Sequence, residues 1–492
     1  MPYKSEINFR LVSRLIGNLL LFESGTMLFV VIITLIYKEN DGKYFIYSSL
    51  IALSVALLLI LFGRNAPVRA GKREGSMIVT FAWIFFSVIG ALPFWMSGAI
   101  PSYTNSFFET MSGFTTTGSS ILNNIEALSH GMLFWRAMTH WLGGLGIVVI
   151  SMAILPNLGI NGSQLFAAEA TGPTKDKFSP KINDTARILF MVYVILTVTE
   201  TVFLLFGGMS WFDSVTHSLS TIATGGFSTK QTSIAFWEYS AYIQYVLAIF
   251  MLLSGVNFAM YFFGYKRKFF KIKENDEFRY YLIIMIVASL VVMVSLIDFT
   301  KSINFVVIEK AWRNSFFTIS SLMTTTGFTT VDYMTWKPVT WVVIVILMFI
   351  GASAGSTAGG MKVVRIVIAA KACYYEFKRM IHPSAVIPVR YNKVVVHENT
   401  LTRVLTFIVL YLFVTIIGIL ILMISGMGIG ESIGGMITCI SCVGPGFNTV
   451  GPAGNFDAIP EFSKWFLSFV MLVGRLELYT VLMILTPAFW RQ

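Results

Sequence analysis

The sequence predicts an all-α integral membrane protein: an N-terminal helical hairpin followed by four copies of one helix–re-entrant loop–helix unit. Three observations carry this expectation. The 492 residues are 55% hydrophobic and 12% charged, with mean hydropathy +0.73, which is more apolar surface than a soluble fold of this length can bury. Ten apolar stretches reach the ~20 residues a helix needs to cross the hydrocarbon core. Between them recur short Gly-centred segments: TTTGSS from Thr115, TIATGGFS from Thr221, TTTGFTT from Thr324 and SCVGPGF from Ser441.

The apolar stretches are, in order, about 15–37, 44–63, 77–98, 133–155, 186–208, 239–264, 280–299, 339–370, 401–425 and 462–488. The first is too long for a cleavable signal peptide, and no small-residue cleavage site closes it. The formal charge of +11 is not arranged like a nucleic-acid surface. Of the 36 Lys and Arg residues, 26 fall in alternate loops (1–14, 64–73, 156–187, 265–279 and 362–403) or at Arg491. By the positive-inside rule those loops and both termini are cytoplasmic, and a basic nucleic-acid face would not alternate with spans. The cell inner membrane is the expected location. The expected organisation is a transmembrane hairpin over 1–68, then pore repeats over 69–170, 171–275, 276–385 and 386–492.

The repeats rest on the connecting stretches FFETMSGFTTTGSS, HSLSTIATGGFS, FFTISSLMTTTGFTT and GGMITCISCVGPGF. Aligned on Gly118, Gly225, Gly327 and Gly444, they recur at intervals of 107, 102 and 117 residues. Twelve residues before each glycine stands Ser106, Asp213, Ser315 or Ser432, each of a type that caps helix N-termini. Each stretch therefore reads as a helix of about three turns followed by an extended loop. Such a unit is too short to span and can only dip in and return. Irregular backbone at membrane depth survives only inside protein or beside a water-filled cavity, so four such loops converge on one axis. Glycine lets carbonyls turn inward, and helices aimed at the axis bring their negative C-terminal ends to it, which favours a cation. Rings of carbonyls can replace an ion's water shell. None of the four loops has an acidic residue within the four positions ending at its glycine, whereas divalent cations usually need carboxylates, so the expected ion is monovalent. The expected coordinating set is Thr115, Thr116, Thr117 and Gly118; Ile222, Ala223, Thr224 and Gly225; Thr324, Thr325, Thr326 and Gly327; Ser441, Cys442, Val443 and Gly444.

These loops, with FWRAMTHWLGGLGIVVI (134–150), GVNFAMYFF (255–263), GASAGSTAGGMKVVR (351–365) and GRLELYTVLMILTPAFW (474–490), resemble the Trk/Ktr/HKT superfamily of potassium transporters, in particular its TrkH-type membrane subunits. The resemblance runs over nearly the whole chain. It implies a pseudo-fourfold, channel-like protomer that takes up K⁺ through a gated pore, with the loops as a selectivity filter for K⁺ and Rb⁺. The hairpin over 15–63 fits the TrkH type better than the shorter Ktr type. The fourth loop departs from the pattern: it has no Thr, and Cys442 and Val443 stand where the family often has Asn and Ile. Gly444 keeps its backbone role. The resemblance also implies a cytoplasmic nucleotide-binding regulatory subunit of the TrkA type and a homodimer with one pore per protomer. No cytoplasmic stretch is long enough for a regulatory domain of its own, 371–400 being about a helix and a loop; the basic segments 265–273 and 371–393 are candidate contacts. No covalent cofactor is expected.

Two further features bear on gating. The run Gly351, Ala352, Ser353, Ala354, Gly355, Ser356, Thr357, Ala358, Gly359, Gly360 interrupts the second span of repeat three and cannot form a good helix. It predicts a broken helix just inside the loops, and the resemblance assigns this segment the gate. A phosphate-binding loop does not fit its spacing; a small-xxx-small packing face over Gly351, Gly355 and Gly359 is the competing reading. Arg475 lies inside an apolar segment, where a charge faces a cavity or a partner. It is expected to project into the permeation path below the filter and raise the barrier for cations. A pair with Glu477, two residues on, is disfavoured by helix geometry. His140, His217 and Glu23 are expected to be buried and hydrogen-bonded rather than proton carriers, Glu23 within the N-terminal hairpin.

Other classes fit less well. A secondary transporter with inverted repeats and H⁺ or Na⁺ coupling is the alternative, but each repeat here begins and ends inside, which favours a ring. A membrane-embedded metalloprotease would need clustered His, Asp and Glu, and the five histidines are scattered with no HExxH, so an enzyme is not expected. The three cysteines give no disulfide framework, and Cys439 and Cys442 read as small buried side chains.

Overall fold

In the N-terminal hairpin, α1 (Phe9–Ile36) starts where the Asn8 side chain accepts a hydrogen bond from Leu11 N at 3.1 Å. It runs antiparallel to α2 (Gly42–Phe62). Ser24 and Ser49 lock the pair: their hydroxyls lie 2.8 Å apart, and each donates to the other's carbonyl, at 3.1 and 3.0 Å. The outer face of α2 exposes Leu50, Leu57, Leu58, Leu61 and Phe62, an apolar stripe of the kind that faces lipid or another membrane helix. The protein is described here from a computed structural model covering residues 7–66, 71–144, 182–300, 302 and 304–491.

Repeat one comprises α3 (Lys72–Gly90), α4 (Leu92–Ser97), α5 (Tyr103–Phe114) and α6 (His130–Gly144). Repeat two comprises α7 (Ile182–Phe206), α8 (Trp211–Ile222), α9 (Ala241–Ser254), α10 (Phe258–Tyr265) and the basic α11 (Phe269–Lys273). Repeat three comprises α12 (Asp276–Leu296), α13 (Phe305–Met323), α14 (Pro338–Ile350) and α15 (Val363–Ile381). Repeat four follows a two-stranded hairpin, β1 (Arg390–Tyr391) and β2 (Val394–Val395), and comprises α16 (Glu398–Ile424), α17 (Ile429–Ser441), α18 (Glu461–Arg475), α19 (Leu478–Leu482) and α20 (Pro487–Trp490). The strand hairpin lies where a helix and loop were expected; Asn392 and Lys393 take φ of 49° and 64°, the two-residue turn that matches strand twist. The re-entrant helices of the four repeats are, in order, α5, α8, α13 and α17.

Among the described residues six helices are long and apolar enough to cross a membrane, and two bent pairs add to them. The stretches 239–264 and 462–488, expected as single spans, are these pairs: α9 and α10 meet at 91°, and α18 meets the turn after it at 116°. Asn257 restarts the chain after the first break by accepting a bond from Ala259 N at 2.9 Å. At the second, Glu477 has φ of 62°. The stretch 339–370 is a 13-residue helix, a break, and α15. The rest of stretch 133–155, most of the basic loop 156–187, the motif residues 145–150 and the boundaries 68/69 and 170/171 lie outside the described residues.

Three sequence expectations need correction. Asp213, Ser106 and Ser432 sit in the first turns of their helices and Ser315 in the middle of α13; the residues before the helices are Ser102, Ser210, Asn304 and Gly428. Ser210 and Asn304 accept bonds from Asp213 N and Val307 N at 3.0 Å each. The α13 helix starts earlier than the repeat pattern implied because Asn304 caps it, so it has 19 residues rather than three turns. Finally, Glu23 is fully buried, yet among the described residues neither of its carboxylate oxygens has a hydrogen-bond partner. It faces Gly90 at the end of α3 rather than the polar seam with α2.

An isolated carboxyl in such a site stabilises nothing that an amide or alkyl chain could not replace. Glu23→Gln is expected to leave the melting temperature in detergent unchanged or raised, and a fall of several degrees would reveal a partner on which the hairpin depends.

Candidate functional site

The four re-entrant helices end alike. At the C-terminus of each, one N–H reaches back five residues: Thr117 N to Ser112 O (2.9 Å), Gly225 N to Ser220 O (2.8 Å), Thr326 N to Ser321 O (2.9 Å) and Val443 N to Thr438 O (3.0 Å). The residue before each donor is left-handed: Thr116, Thr224, Thr325 and Cys442, with φ of 53–57°. This is the Schellman arrangement that glycine usually completes. Here β-branched threonine occupies it three times, at roughly 1–3 kcal/mol of backbone strain each.

One residue beyond each donor stands a left-handed glycine: Gly118 (φ 81°), Gly226 (82°), Gly327 (84°) and Gly444 (103°). The second repeat is therefore in register on Gly226, one residue later than the alignment on Gly225, and its loop set shifts from Ile222–Gly225 to Ala223–Gly226. The phenylalanine that follows Gly226 and Gly327 alike, Phe227 and Phe328, was the available signal. With this shift, serine stands twelve residues before every glycine. Ser106, Ser214, Ser315 and Ser432 are all fully buried and donate to the carbonyls of Ile100 (3.1 Å), Met209 (3.4 Å), Ser289 and Met427 (3.5 Å).

The loops meet edge to edge. A methyl group on Gly118 would overlap the Gly225 carbonyl, one on Gly226 the Thr326 carbonyl, and one on Gly327 the Val443 carbonyl; at Gly444 it would lie 3.0 Å from Thr117 O. Each glycine thus abuts the next repeat's loop, and the fourth abuts the first, closing a ring in the order one, two, three, four. Thr115 and Thr117 share a hydroxyl contact of 2.8 Å, as do Thr324 and Thr326. Outside the ring lies a vestibule with ≈ 580 Å³ of open space, lined by all four glycines with Ser119, Ser228 and other residues.

Behind the second loop, both histidines are buried and bonded. His140 Nδ1 accepts from Phe227 N at 3.4 Å and lies 3.3 Å from Ser220 Oγ. His217 Nδ1 donates to Asp213 O at 2.7 Å, and its Nε2 lies 2.9 Å from Ser228 Oγ. Cys439 and Cys442 are buried thiols, with Cys442 Sγ 3.8 Å from the Cys439 and Met471 carbonyls.

On the other side of the ring, α14 stops at Gly351 (φ 70°) and α15 starts at Val363. The intervening segment is tied to all parts around it. Ser353 N donates to Gly255 O (3.1 Å), Thr357 Oγ1 to Ile222 O (3.0 Å), and Gly359 N to Thr325 Oγ1 (2.7 Å). The Glu277 carboxylate at the start of α12 accepts from Ala354 N (2.6 Å) and Val364 N (3.3 Å). The irregular stretch runs on to Lys362, left-handed at φ 75°, whose ammonium donates to Ala358 O at 2.5 Å. Arg475 joins this segment to the ring: Nη1 donates to Thr116 Oγ1 (2.9 Å) and Thr357 O (2.5 Å), and Nη2 to the Gly143 and Gly144 carbonyls (2.6 Å each). Glu477 pairs instead with Arg365, whose Nη2 lies 2.8 and 2.7 Å from its two oxygens.

A family model described as TrkH, a cation transport protein, matches residues 42–491. The chain belongs to the TrkH family. It is 37% identical to the Trk system potassium uptake protein TrkH of Salmonella typhimurium (strain LT2), over 99% of this chain and all of that one. It is 31% identical to TrkG of Escherichia coli (strain K12), covering 98% of this chain and 99% of that one. The crystal structure of the potassium transporter TrkH from Vibrio parahaemolyticus superposes with TM-score 0.87 at 32% identity, covering 99% of this chain and all of that one. A TrkH-family chain is a multi-pass transporter, not an enzyme.

The register of the second loop can be tested within this family member. Gly226→Ala combines a left-handed residue with a steric overlap and is expected to lower transport at least about tenfold. Gly98→Ala, left-handed at φ 75° but in open space, should cost only about 1–2 kcal/mol of stability and leave transport intact. Equal behaviour of the two variants in flux and melting temperature would refute the register.

Proposed function

We propose that this protein takes up K⁺ across the cell inner membrane through a gated pore in which the four-loop ring is the selectivity filter. The closed ring of glycine–carbonyl contacts carries the reading. Four re-entrant helices deliver their negative ends to one place, and the loop carbonyls and threonine hydroxyls replace the hydration shell of a passing ion. K⁺ and Rb⁺ are the cargo; the relatives' name, potassium uptake protein, supports the choice. The filter set is Thr115–Gly118, 223–226, Thr324–Gly327 and Ser441–Gly444. Alternating basic loops support cytoplasmic termini.

The segment 351–362 is the gate in this reading, and Arg475 is its electrostatic barrier, a charge held between the inner end of loop one and the Thr357 carbonyl. The regulator is a nucleotide-binding subunit of the TrkA type on the cytoplasmic face, and the protein works as a homodimer. Neighbouring residues supply a route from that face to the gate. Asp276 holds Lys371 at 2.6 Å and the Asn392 backbone N–H at 3.0 Å, while Glu277, next to it, holds the Ala354 N–H of the gate and the Val364 N–H at the start of α15. A displacement of the β1–β2 hairpin therefore reaches the gate through α12.

Flux into liposomes containing this protein is the direct test, with K⁺, Rb⁺, Na⁺ and Li⁺ compared. Fast K⁺ and Rb⁺ entry with slow Na⁺ and Li⁺ entry is expected, and Arg475→Ala should raise it. Equal entry of all four cations would remove the filter, and unchanged flux in a well-folded Arg475→Ala would remove the barrier. The gate has its own test. Thr357→Val deletes the hydroxyl that donates to Ile222 O and should raise flux in the absence of any regulator; flux equal to the parent's would leave that bond outside the gate.

A further inference from the structure

Just outside the ring, four more carbonyls share one position. Ser120, Ser228, Thr329 and Gly446 each lie two residues beyond a left-handed glycine. Each accepts a hydrogen bond from a different repeat. Arg136 Nη1 of repeat one donates to Ser228 O of repeat two at 3.1 Å. Ile234 N and Ala235 N of repeat two donate to Thr329 O of repeat three at 3.0 and 3.1 Å. The Tyr333 hydroxyl of repeat three donates to Gly446 O of repeat four at 2.6 Å. Phe456 N of repeat four donates to Ser120 O of repeat one at 2.9 Å. The sense is the same at every step, so the bonds form a second closed ring around the outer mouth.

We propose that this outer ring is a brace that fixes the spacing of the filter loops and thereby sets their discrimination among monovalent cations, with Arg136 and Tyr333 as its positioning side chains. The inference rests on the filter reading above and extends it to residues that touch no ion. Ordinary turn bonding does not account for the pattern, because turns close over a few neighbouring residues, whereas these partners are as far apart in sequence as 92 and 113 residues. Nor do the donors share a sequence motif: they are a guanidinium, a pair of backbone amides, a phenol and a single amide. What recurs is the constraint on the carbonyl. Beyond the glycine the loop has left its helix, and a carbonyl pinned from the next repeat fixes the peptide plane that leads into the filter. Monovalent cations are told apart by how well the loop oxygens replace their hydration shells, and a brace that fixes the spacing of those oxygens disfavours the smaller ion.

Arg136 is built for this task. It is almost fully buried, and its Nε donates to Glu109 Oε1 at 2.9 Å. Glu109 Oε2 in turn accepts from Ile121 N at 2.9 Å, and Ser120 Oγ donates to Oε1 at 3.0 Å. The guanidinium also lies 4.1 Å from the Phe227 ring centre. The pair thus grips the outer ends of loops one and two together, and its mutual neutralisation makes a buried charge tolerable there.

Tyr333→Phe removes one brace donor and preserves the ring packing. The measurement is Rb⁺ and Na⁺ flux into liposomes, with melting temperature in detergent, for the parent, Tyr333→Phe, Arg136→Lys and Tyr103→Phe. Tyr103 also donates its hydroxyl to a carbonyl, Val88 O at 3.2 Å, away from the brace. The Rb⁺/Na⁺ ratio is expected to fall at least about threefold in Tyr333→Phe and in Arg136→Lys, with Rb⁺ flux retained, and to stay at the parental value in Tyr103→Phe. An unchanged ratio in a conducting Tyr333→Phe overturns the brace. Equal loss of both ions with a lowered melting temperature assigns Tyr333 to packing and overturns it too. A parent that passes both ions equally refutes the filter reading itself, an outcome distinct from failure of the brace.

Discussion

A backbone that leaves its helix inside a membrane finds no water to replace the lost hydrogen bonds. Four such departures dictate much of this architecture. Each is closed at once by a bond reaching back five residues, from Thr117, Gly225, Thr326 or Val443, and this closure forces the preceding residue into the left-handed region. Glycine would adopt that conformation without strain, yet Thr116, Thr224 and Thr325 stand there. Their hydroxyls explain why the strain is tolerated in two cases: Thr116 Oγ1 receives Arg475 and Thr325 Oγ1 receives Gly359 N. The strained residue is thus also the place where the inner segment attaches to the loops. Glycine is kept for the next position but one, where a side chain would strike the neighbouring loop.

Charges follow from the same constraint. An ionisable group at membrane depth is costly unless its partners are in place. Arg136 has Glu109 and a carbonyl, Arg365 has Glu477, and Arg475 has a hydroxyl and three carbonyls. Each of these clusters joins different repeats, so the expensive groups double as fasteners between otherwise similar units. Glu23 has no such role in view and stands apart from this logic.

The repeats share a plan but not a detail. The helices that follow the re-entrant loops of repeats two, three and four all break on one side of the ring, at 255–257, 351–362 and 476–477, each differently. Only the break in repeat three is long enough to reach Ile222, Thr325, Glu277 and Arg475 at once. These shared anchors are what the proposed gate rests on: a segment held by several repeats at once is released only when several of its bonds are lost together.

Apolar length was enough to determine the membrane class and the hairpin, the recurring Gly-centred stretches the four re-entrant units, and the glycine-rich run the broken span over 351–360, because each signal is written in a local stretch of the chain. Arg475 was legible for the same reason, as a charge out of place in an apolar run. The register of the second loop was misread: Thr224, Gly225 and Gly226 offer two glycines, the Phe227–Phe328 correspondence was the one local hint, and the backbone angles, with the contact to Thr326 of the next loop, choose Gly226. The helix starts were misplaced because Ser106, Ser315 and Ser432 look like caps, while their hydroxyls are used inside the fold to bond carbonyls. The bends at Val256 and Leu476, the Glu277 link and the outer brace were invisible for a common reason. Each is a bond or contact between residues far apart in sequence, donated by side chains or amides of unlike kind, and only the closing of the ring brings them within reach.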